Sequence, residues 1–253
     1  MNRLIITRVV HSSVLIDFNG SPILTDPWYS ERPGYYHGEP IGITIEALPN
    51  LTGVVVSHDH YDHYDMAAFA AYPDKTVPLA VKSGTSEPAL ETGFHNVTEL
   101  DPWQTVSLGA VKVTAAPGKH GVPENTYILE AFGFTVYFGG DTLLIPELKE
   151  VAARFHPIDV ALLAINGLMI RPLLNRQVVM NAQEAAELCG WLQPRVAIPM
   201  HYRFTAGWLR DHLLLKYNGT PEEFARATAQ QAPETQVCIL APGESLQIEP
   251  AAE

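Results

Sequence analysis

The stretch VVVSHDHYDHYD, residues 54–65, sets three histidines and three aspartates within eight positions, directly behind a run of valines. Asp and His are ordinary loop residues, and a polar turn is the plainest account of them. A solvated turn, however, has no reason to space His58, His60, Asp62 and His63 in this way immediately after a β-branched run that reads as a buried strand. Side chains two apart in an extended segment point the same way, so His58 and His60 converge on one point while Asp62 and His63 face a second. Imidazole and carboxylate are donors that zinc, manganese or iron accept, so the run reads as half of a two-metal site.

Two metals need more donors than one turn supplies, and the spacing therefore predicts further His or Asp residues at the ends of other strands. Three are present: His120 in AAPGKHG after VKVTA, Asp141 in YFGGDT after FTVYF, and His201 in IPMHY after RVAIP. Glycines beside His120 and Asp141 let the backbone turn sharply toward a shared centre. Taken singly, each reads as a cap or turn residue. Taken with the first motif, they complete a donor set.

The order of elements predicts an α/β fold. Short strands LIITRVV, SVLIDF and PILTD open the chain, with Asn19-Gly20 as a hairpin turn. A long loop at 27–42, rich in Pro, Gly and aromatics, reads as functional. Asp65 caps a short helix over MAAFAAY, and a strand around VPLAV and a helix from about Thr85 follow. A second β-rich block begins near residue 105 and gives way to helix, strand, helix and strand up to RVAIPM; residues 205–230 read as largely helical, and the chain ends in short strands. Two β-rich blocks, each followed by helices, suggest two mixed sheets packed together with helices on the outer faces, a four-layer αβ/βα sandwich. With 253 residues, 47% of them hydrophobic, one domain over 1–253 is the simplest account.

Sixteen basic against 28 acidic residues give a net charge of -12, which disfavours duplex nucleic acid or an anionic membrane as partner. The opening LIITRVV lacks the regions of an export signal, and no apolar run reaches membrane-spanning length, so a cytoplasmic location is expected. Two cysteines, Cys189 in a helical pattern and Cys238 in a strand pattern, support neither a disulfide framework nor a cysteine zinc site.

HDHYDH, the later His120, the GGDT aspartate and the PMHY histidine, in this order and at these intervals, resemble the metallo-β-lactamase fold superfamily of metal-dependent hydrolases. VVHSSVLID, LTDPWYS and LLAING followed by NAQEAAEL look most like its branch containing L-ascorbate-6-phosphate lactonase. The resemblance implies that His58, His60 and His120 hold one metal, that Asp62, His63 and His201 hold the other, and that Asp141 bridges both. It implies that Asp26 supports the metal-binding turn through hydrogen bonds, and it puts His11 near the centre as a supporting or substrate-touching residue. The remaining histidines, His37, His95, His156 and His212, have no motif context and read as surface or packing residues.

Two metal ions about 3.5 to 4 Å apart can share one water and lower its pKa toward about 7, which supplies a nucleophile without a Ser-His-Asp arrangement. Asp62 is then placed to accept a proton. The expected function is hydrolysis of a small, anionic ester or lactone by a chain carrying two divalent metals, Zn2+ or Mn2+ with Fe as the alternative. Within the segment 166–176, Asn166, Arg171 and Arg176 are candidates for contact with substrate, the arginines through bidentate hydrogen bonds to a carboxylate or phosphate. The rivals are a phosphodiesterase or nuclease of the same fold and a metal-binding protein without catalysis. Exposed apolar helices leave room for a homo-oligomer.

Overall fold

The computed structural model describes residues 2–250; Met1 and residues 251–253, the ends of the span expected as one domain, lie outside the described residues. The first half holds strands β1 (Leu4–Val10), β2 (Ser13–Phe18), β3 (Ser21–Thr25), β4 (Gly53–Val55), β5 (Leu79–Lys82) and β6 (Val97–Leu100), with short helices α1 (Met66–Phe69) and α2 (Glu87–Glu91). Next come β7 (Thr105–Leu108), β8 (Val111–Pro117), β9 (Asn125–Ala131), β10 (Phe134–Phe138), α3 (Leu148–Arg154), β11 (Val160–Ala164), β12 (Met169–Ile170), β13 (Arg176–Gln177), α4 (Ala182–Leu192) and β14 (Val196–Met200). The chain closes with α5 (Trp208–Leu213), β15 (Leu215–Lys216), α6 (Pro221–Gln231), β16 (Gln236–Val237) and β17 (Ser245–Ile248).

Seven strands form each of two sheets, ordered β17-β1-β2-β3-β4-β5-β6 and β16-β14-β11-β10-β9-β8-β7. Both are mixed. In the first, β3 to β6 pair in parallel while β17, β1, β2 and β3 pair antiparallel. In the second, β10, β11, β14 and β16 pair in parallel while β7 to β10 pair antiparallel. The Asn19-Gly20 turn joins β2 to β3 with both residues at positive φ, 53° and 90°, the geometry a two-residue hairpin requires.

Three apolar layers hold the sandwich together. Between the sheets, Ile6, Ile16, Val55, Leu129, Val136 and Leu162 are fully buried. Alternate residues of the second sheet, Ile128, Tyr137, Ala161 and Leu163, turn outward and pack on α3, α4 and α6. Leu24, Val54 and Val56 of the first sheet pack outward on Met66, Phe69 and Ala89 around α1 and α2. Alternation decides which layer each side chain joins. This is the four-layer α/β arrangement that the element order implies. No helix among the described residues is long and apolar enough to cross a membrane.

Three expectations are corrected. The helix over MAAFAAY runs only Met66–Phe69, with Asp65 capping it through a hydrogen bond from the Ala68 amide. The helical span 205–230 is interrupted: α5 and α6 are separated by an extended segment whose Leu215 and Lys216 pair with β12. Gly219 explains the break. A Cβ there would lie 1.9 Å from the Ile165 carbonyl oxygen, so the backbone is drawn against β11's exit before Thr220 restarts a helix with a capping box. Cys238 lies one residue beyond β16, not within a strand. Strand β6 and the three-stranded sheet β13-β12-β15 carry no clear sequence signal.

Candidate metal centre

The polar donors gather where strands end. β3 runs into Asp26, β4 into His58–His63, β10 into Asp141 and β14 into His201, all at the carboxyl ends of parallel strands; in open α/β sheets ligands bind outside those ends. Two further strand ends contribute: β1 delivers His11, and β8 leads through Gly118 to His120.

Asp26 builds the turn. Its carboxylate accepts from the Ser57 amide and hydroxyl, each at 2.7 Å, and meets His63 Nδ1 at 2.6 Å. With Nδ1 engaged, His63 turns Nε2 toward Asp141 Oδ2, 3.3 Å away. Burial opposes charge on His63, but Asp141 and Asp26 outweigh it and hold the imidazole well above its ordinary pKa. A carboxylate cluster of this kind favours a cation at its centre.

His58, His60 and His120 form the first donor group. His120 Nδ1 donates to the Val178 carbonyl at 2.6 Å, and His58 Nδ1 lies 2.9 Å from Ser57 Oγ and 3.4 Å from Glu124 Oε1. Both rings therefore aim Nε2 at His60 Nδ1, at 3.0 Å from His58 and 3.2 Å from His120. One proton can bridge one such pair, whereas a cation satisfies all three lone pairs. Donors that share a cation at about 2.0–2.2 Å sit roughly 3–3.6 Å apart, so the spacing fits a metal.

Asp62, His63 and His201 form the second group, and His11 joins them: one donor atom from each of the four lies within 4.8 Å of the others. His11 thus lies beside the second group. Its Nε2 lies 3.4 Å from Asp62 Oδ2, and its ring centroid 3.9 Å from that of His201. Burial, with the His201 ring beside it, lowers the His11 pKa to about 3, leaving a neutral imidazole. Asp141 Oδ2 stands between the groups, 2.9 Å from His201 Nε2 and 4.0 Å from His120 Nε2. His63 Nε2, Asp141 Oδ1 and both ring nitrogens of His11 and His201 are buried without a hydrogen-bond partner. Unpaired buried polar atoms are costly, and one nitrogen each from His11, His63 and His201 beside the Asp141 carboxylate suit a cation.

Backbone strain concentrates here. His11, Asp26 and His201 hold φ values of 54°, 36° and 58°, in a region that side-chain-bearing residues seldom occupy. Gly140 (φ 52°) makes the turn that delivers Asp141; a Cβ there would lie 2.5 Å from Glu124 Oε1 and 2.9 Å from Ser57 Cβ.

Glu124 was not legible in the sequence. It is buried, accepts from the Asp141 amide at 2.6 Å and faces His58, so it braces one donor of the first group and the aspartate between the two. The Thr142 hydroxyl accepts from the Lys119 amide at 2.9 Å, tying the His120 loop to the Asp141 loop.

An open cavity of about 330 Å³ lies over the donors. His60, Asp62, His120, Asp141 and His201 form its floor; Tyr35, Leu168, Ile170, Phe204, Leu214 and Leu215 line its walls, with Arg210 among them. Arg171 and Arg176 are not among the lining residues. Arg171 is exposed and its Nε donates to the Leu215 carbonyl, and Arg176 is exposed on β13. Asn166 is buried outside the cavity, where its Oδ1 accepts from the Leu168 amide and shapes the turn that brings Leu168 to the wall. Arg210 had no motif context; only the docking of α5 on the loop at Pro33, whose carbonyl Arg210 contacts at 3.1 Å, brings it to the mouth.

Residues 22–202 match the family described as "Beta-lactamase superfamily domain". A "metal-dependent hydrolase" of Caldivirga maquilingensis is 26% identical over 242 residues, covering 94% of this chain and 95% of that one. Another from Nitratidesulfovibrio vulgaris is 28% identical over 253 residues, covering 96% and 95%. The solved structure of Igni18, a metallo hydrolase from Ignicoccus hospitalis, superposes with a TM-score of 0.73 at 22% identity over 98% of this chain and 99% of that one, a likeness of fold. The matched span includes Asp26, the His58–His63 turn, His120, Asp141 and His201. The chain thus belongs to the β-lactamase superfamily.

Proposed function

We propose that this chain holds two divalent metals, Zn2+ or Mn2+ with Fe as the alternative, and hydrolyses a small ester or lactone that carries an apolar body and one anionic group. His58, His60 and His120 would hold one ion; Asp62, His63, His201 and His11 would hold the other, with Asp141 shared. When bound, such a pair supplies an activated water at neutral pH and polarises the scissile oxygen.

The remaining work falls to side chains. Asp62 Oδ2 lies on the cavity floor, 4.0 Å from His201 Nε2, where it can orient the nucleophilic water and accept its proton. Asp26 and Glu124 fix the imidazoles of His63 and His58 from behind, which sets tautomer and direction. Leu168, Ile170, Phe204 and Leu214 would take the apolar body and exclude water from it. Arg210, rather than Arg171 or Arg176, would pair with the anionic group.

The observation that carries this reading is the placement of five donor residues on the floor of an open cavity, since a purely structural site would be closed by protein. The same walls, apolar and with one arginine, favour a small molecule over a nucleic acid backbone. Membership of the lactonase-like branch is part of the proposal. The test is metal analysis combined with a panel of lactones, carboxylesters and bis(p-nitrophenyl) phosphate. Two metals per chain and lactone or ester turnover are expected. Full activity in metal-stripped protein would defeat the reading, and turnover of the phosphodiester alone would replace it.

A further inference from the structure

Beyond the cavity mouth the chain leaves a large apolar face open. Leu174 is 95% exposed and Trp208 82% exposed, and Leu173, Leu209, Leu213 and Leu214 are each more than 40% exposed. They belong to one small unit. β12 pairs with β15 through Ile170 and Leu215, the Arg171 amide donates to the Leu214 carbonyl at 2.8 Å, and Arg171 Nε donates to Leu215 O at 2.7 Å. The turn after Arg171–Leu173 and helix α5 are therefore held side by side.

Leu174 adopts φ 57°, a conformation that a bulky residue rarely takes, and nothing among the described residues covers its side chain. Six large exposed apolar side chains on one small unit exceed what a monomer ordinarily leaves there.

Charge indicates what covers it. Residues 169–177 and 203–216 carry five of the 16 basic residues, Arg171, Arg176, Arg203, Arg210 and Lys216, but one of the 28 acidic ones. That one, Asp211, is engaged internally by Tyr217 Oη at 2.7 Å and the Ala206 amide at 2.9 Å. The patch is thus apolar at its centre and cationic at its rim, on a chain otherwise strongly acidic. An apolar centre within a polar rim is the composition of a protein interface. The surface best matched to that rim is the acidic exterior of another copy of the same chain, whereas an anionic bilayer would repel the acidic body.

We propose that this face docks a second copy of the chain, Leu173, Leu174, Trp208 and Leu213 forming the apolar contact and the exposed Arg171, Arg176 and Arg203 reaching acidic surface beyond the partner's patch. Leu214 and Leu215 line the cavity, so the second copy narrows its mouth. This inference is independent of the substrate proposed above.

Light scattering of the purified chain from about 1 to 100 µM tests it. The expected wild-type mass rises across this range to twice 27.8 kDa at 100 µM, and the double variant Leu174→Asp, Trp208→Glu is expected at 27.8 kDa throughout, with unchanged metal content. Hydrogen exchange on the wild type, which requires no variant, is expected to show amides 169–176 and 208–215 better protected at high than at low concentration. A wild-type monomer at 100 µM, a double variant that keeps the wild-type mass, or exchange independent of concentration overturns the proposal. So does a monomer that pellets with phosphatidylglycerol vesicles, which would assign the face to a bilayer.

Discussion

The rings of His11 and His201 lie 3.9 Å apart, and the His201 amide points to the His11 carbonyl at 3.4 Å. One ends β1 in the first sheet and the other ends β14 in the second, so this contact closes the two sheets over the donor cluster. Both residues hold positive φ, and both turn unpaired nitrogens toward Asp62 and Asp141. If His11 acts as a donor, His11→Ala should lower metal content toward one ion per chain after dialysis, measured by elemental analysis, with a loss of affinity of about 10–100-fold or more at the second site. Unchanged stoichiometry and affinity would reduce His11 to a packing residue.

Asp26 holds His63 Nδ1 and both hydrogen-bonding groups of Ser57 while itself fully buried. Asp26→Asn keeps the shape but can offer only one acceptor oxygen. Metal affinity should fall about 10–100-fold in a chelator competition, with the cavity-lining residues untouched. Retention of wild-type affinity would show that the turn orients itself.

Gly140 has no room for a Cβ and sits at φ 52°. Gly140→Ala should cost about 1–3 kcal/mol of stability through overpacking against Glu124 and Ser57. For a chain of this size that corresponds to a melting temperature roughly 2–12 °C lower, read by calorimetry on the apo protein. An unchanged melting temperature would mean that the Glu124 carboxylate moves aside freely.

Arg210 stands at the cavity mouth and donates to the Pro33 carbonyl. Arg210→Gln should raise KM roughly tenfold for a carboxylate-bearing ester, about 1.4 kcal/mol, and leave a neutral ester of the same size unchanged. Equal effects on both esters would make the residue a prop for the loop rather than a partner for charge.

Burial pushes the Cys189 thiol up to about 12, so at pH 8 almost none of it is thiolate. Cys238 is half-buried. One thiol per chain should react with a thiol-specific reagent in native protein at pH 8, and two in urea. Rapid native labelling of Cys189 would indicate that α4 opens readily.

Local sequence was enough to mark most of the donors. His58, His60, Asp62 and His63 share one turn, where spacing along an extended chain sets direction, and His120, Asp141 and His201 each follow a strand recognisable from its own apolar pattern. The four-layer order was legible for the same reason, because alternation within each strand states how many faces are buried. The partners those donors face were not. Glu124 reaches Asp141 because β9 and β10 are neighbours, and Arg210 reaches the mouth because α5 docks on the loop at Pro33, neither of which is a property of the surrounding residues.

Sequence therefore determined which side chains can bind a cation and at which strand ends they stand, since both follow from residue type and short-range geometry. Tertiary structure decided that His11 lies against them, that Arg171 and Arg176 lie outside the cavity, and that Leu215 and Lys216 pair with β12 instead of continuing a helix. In each case the deciding energy is a pairing between segments 28 to 190 positions apart, and such pairings leave no trace in the neighbouring letters.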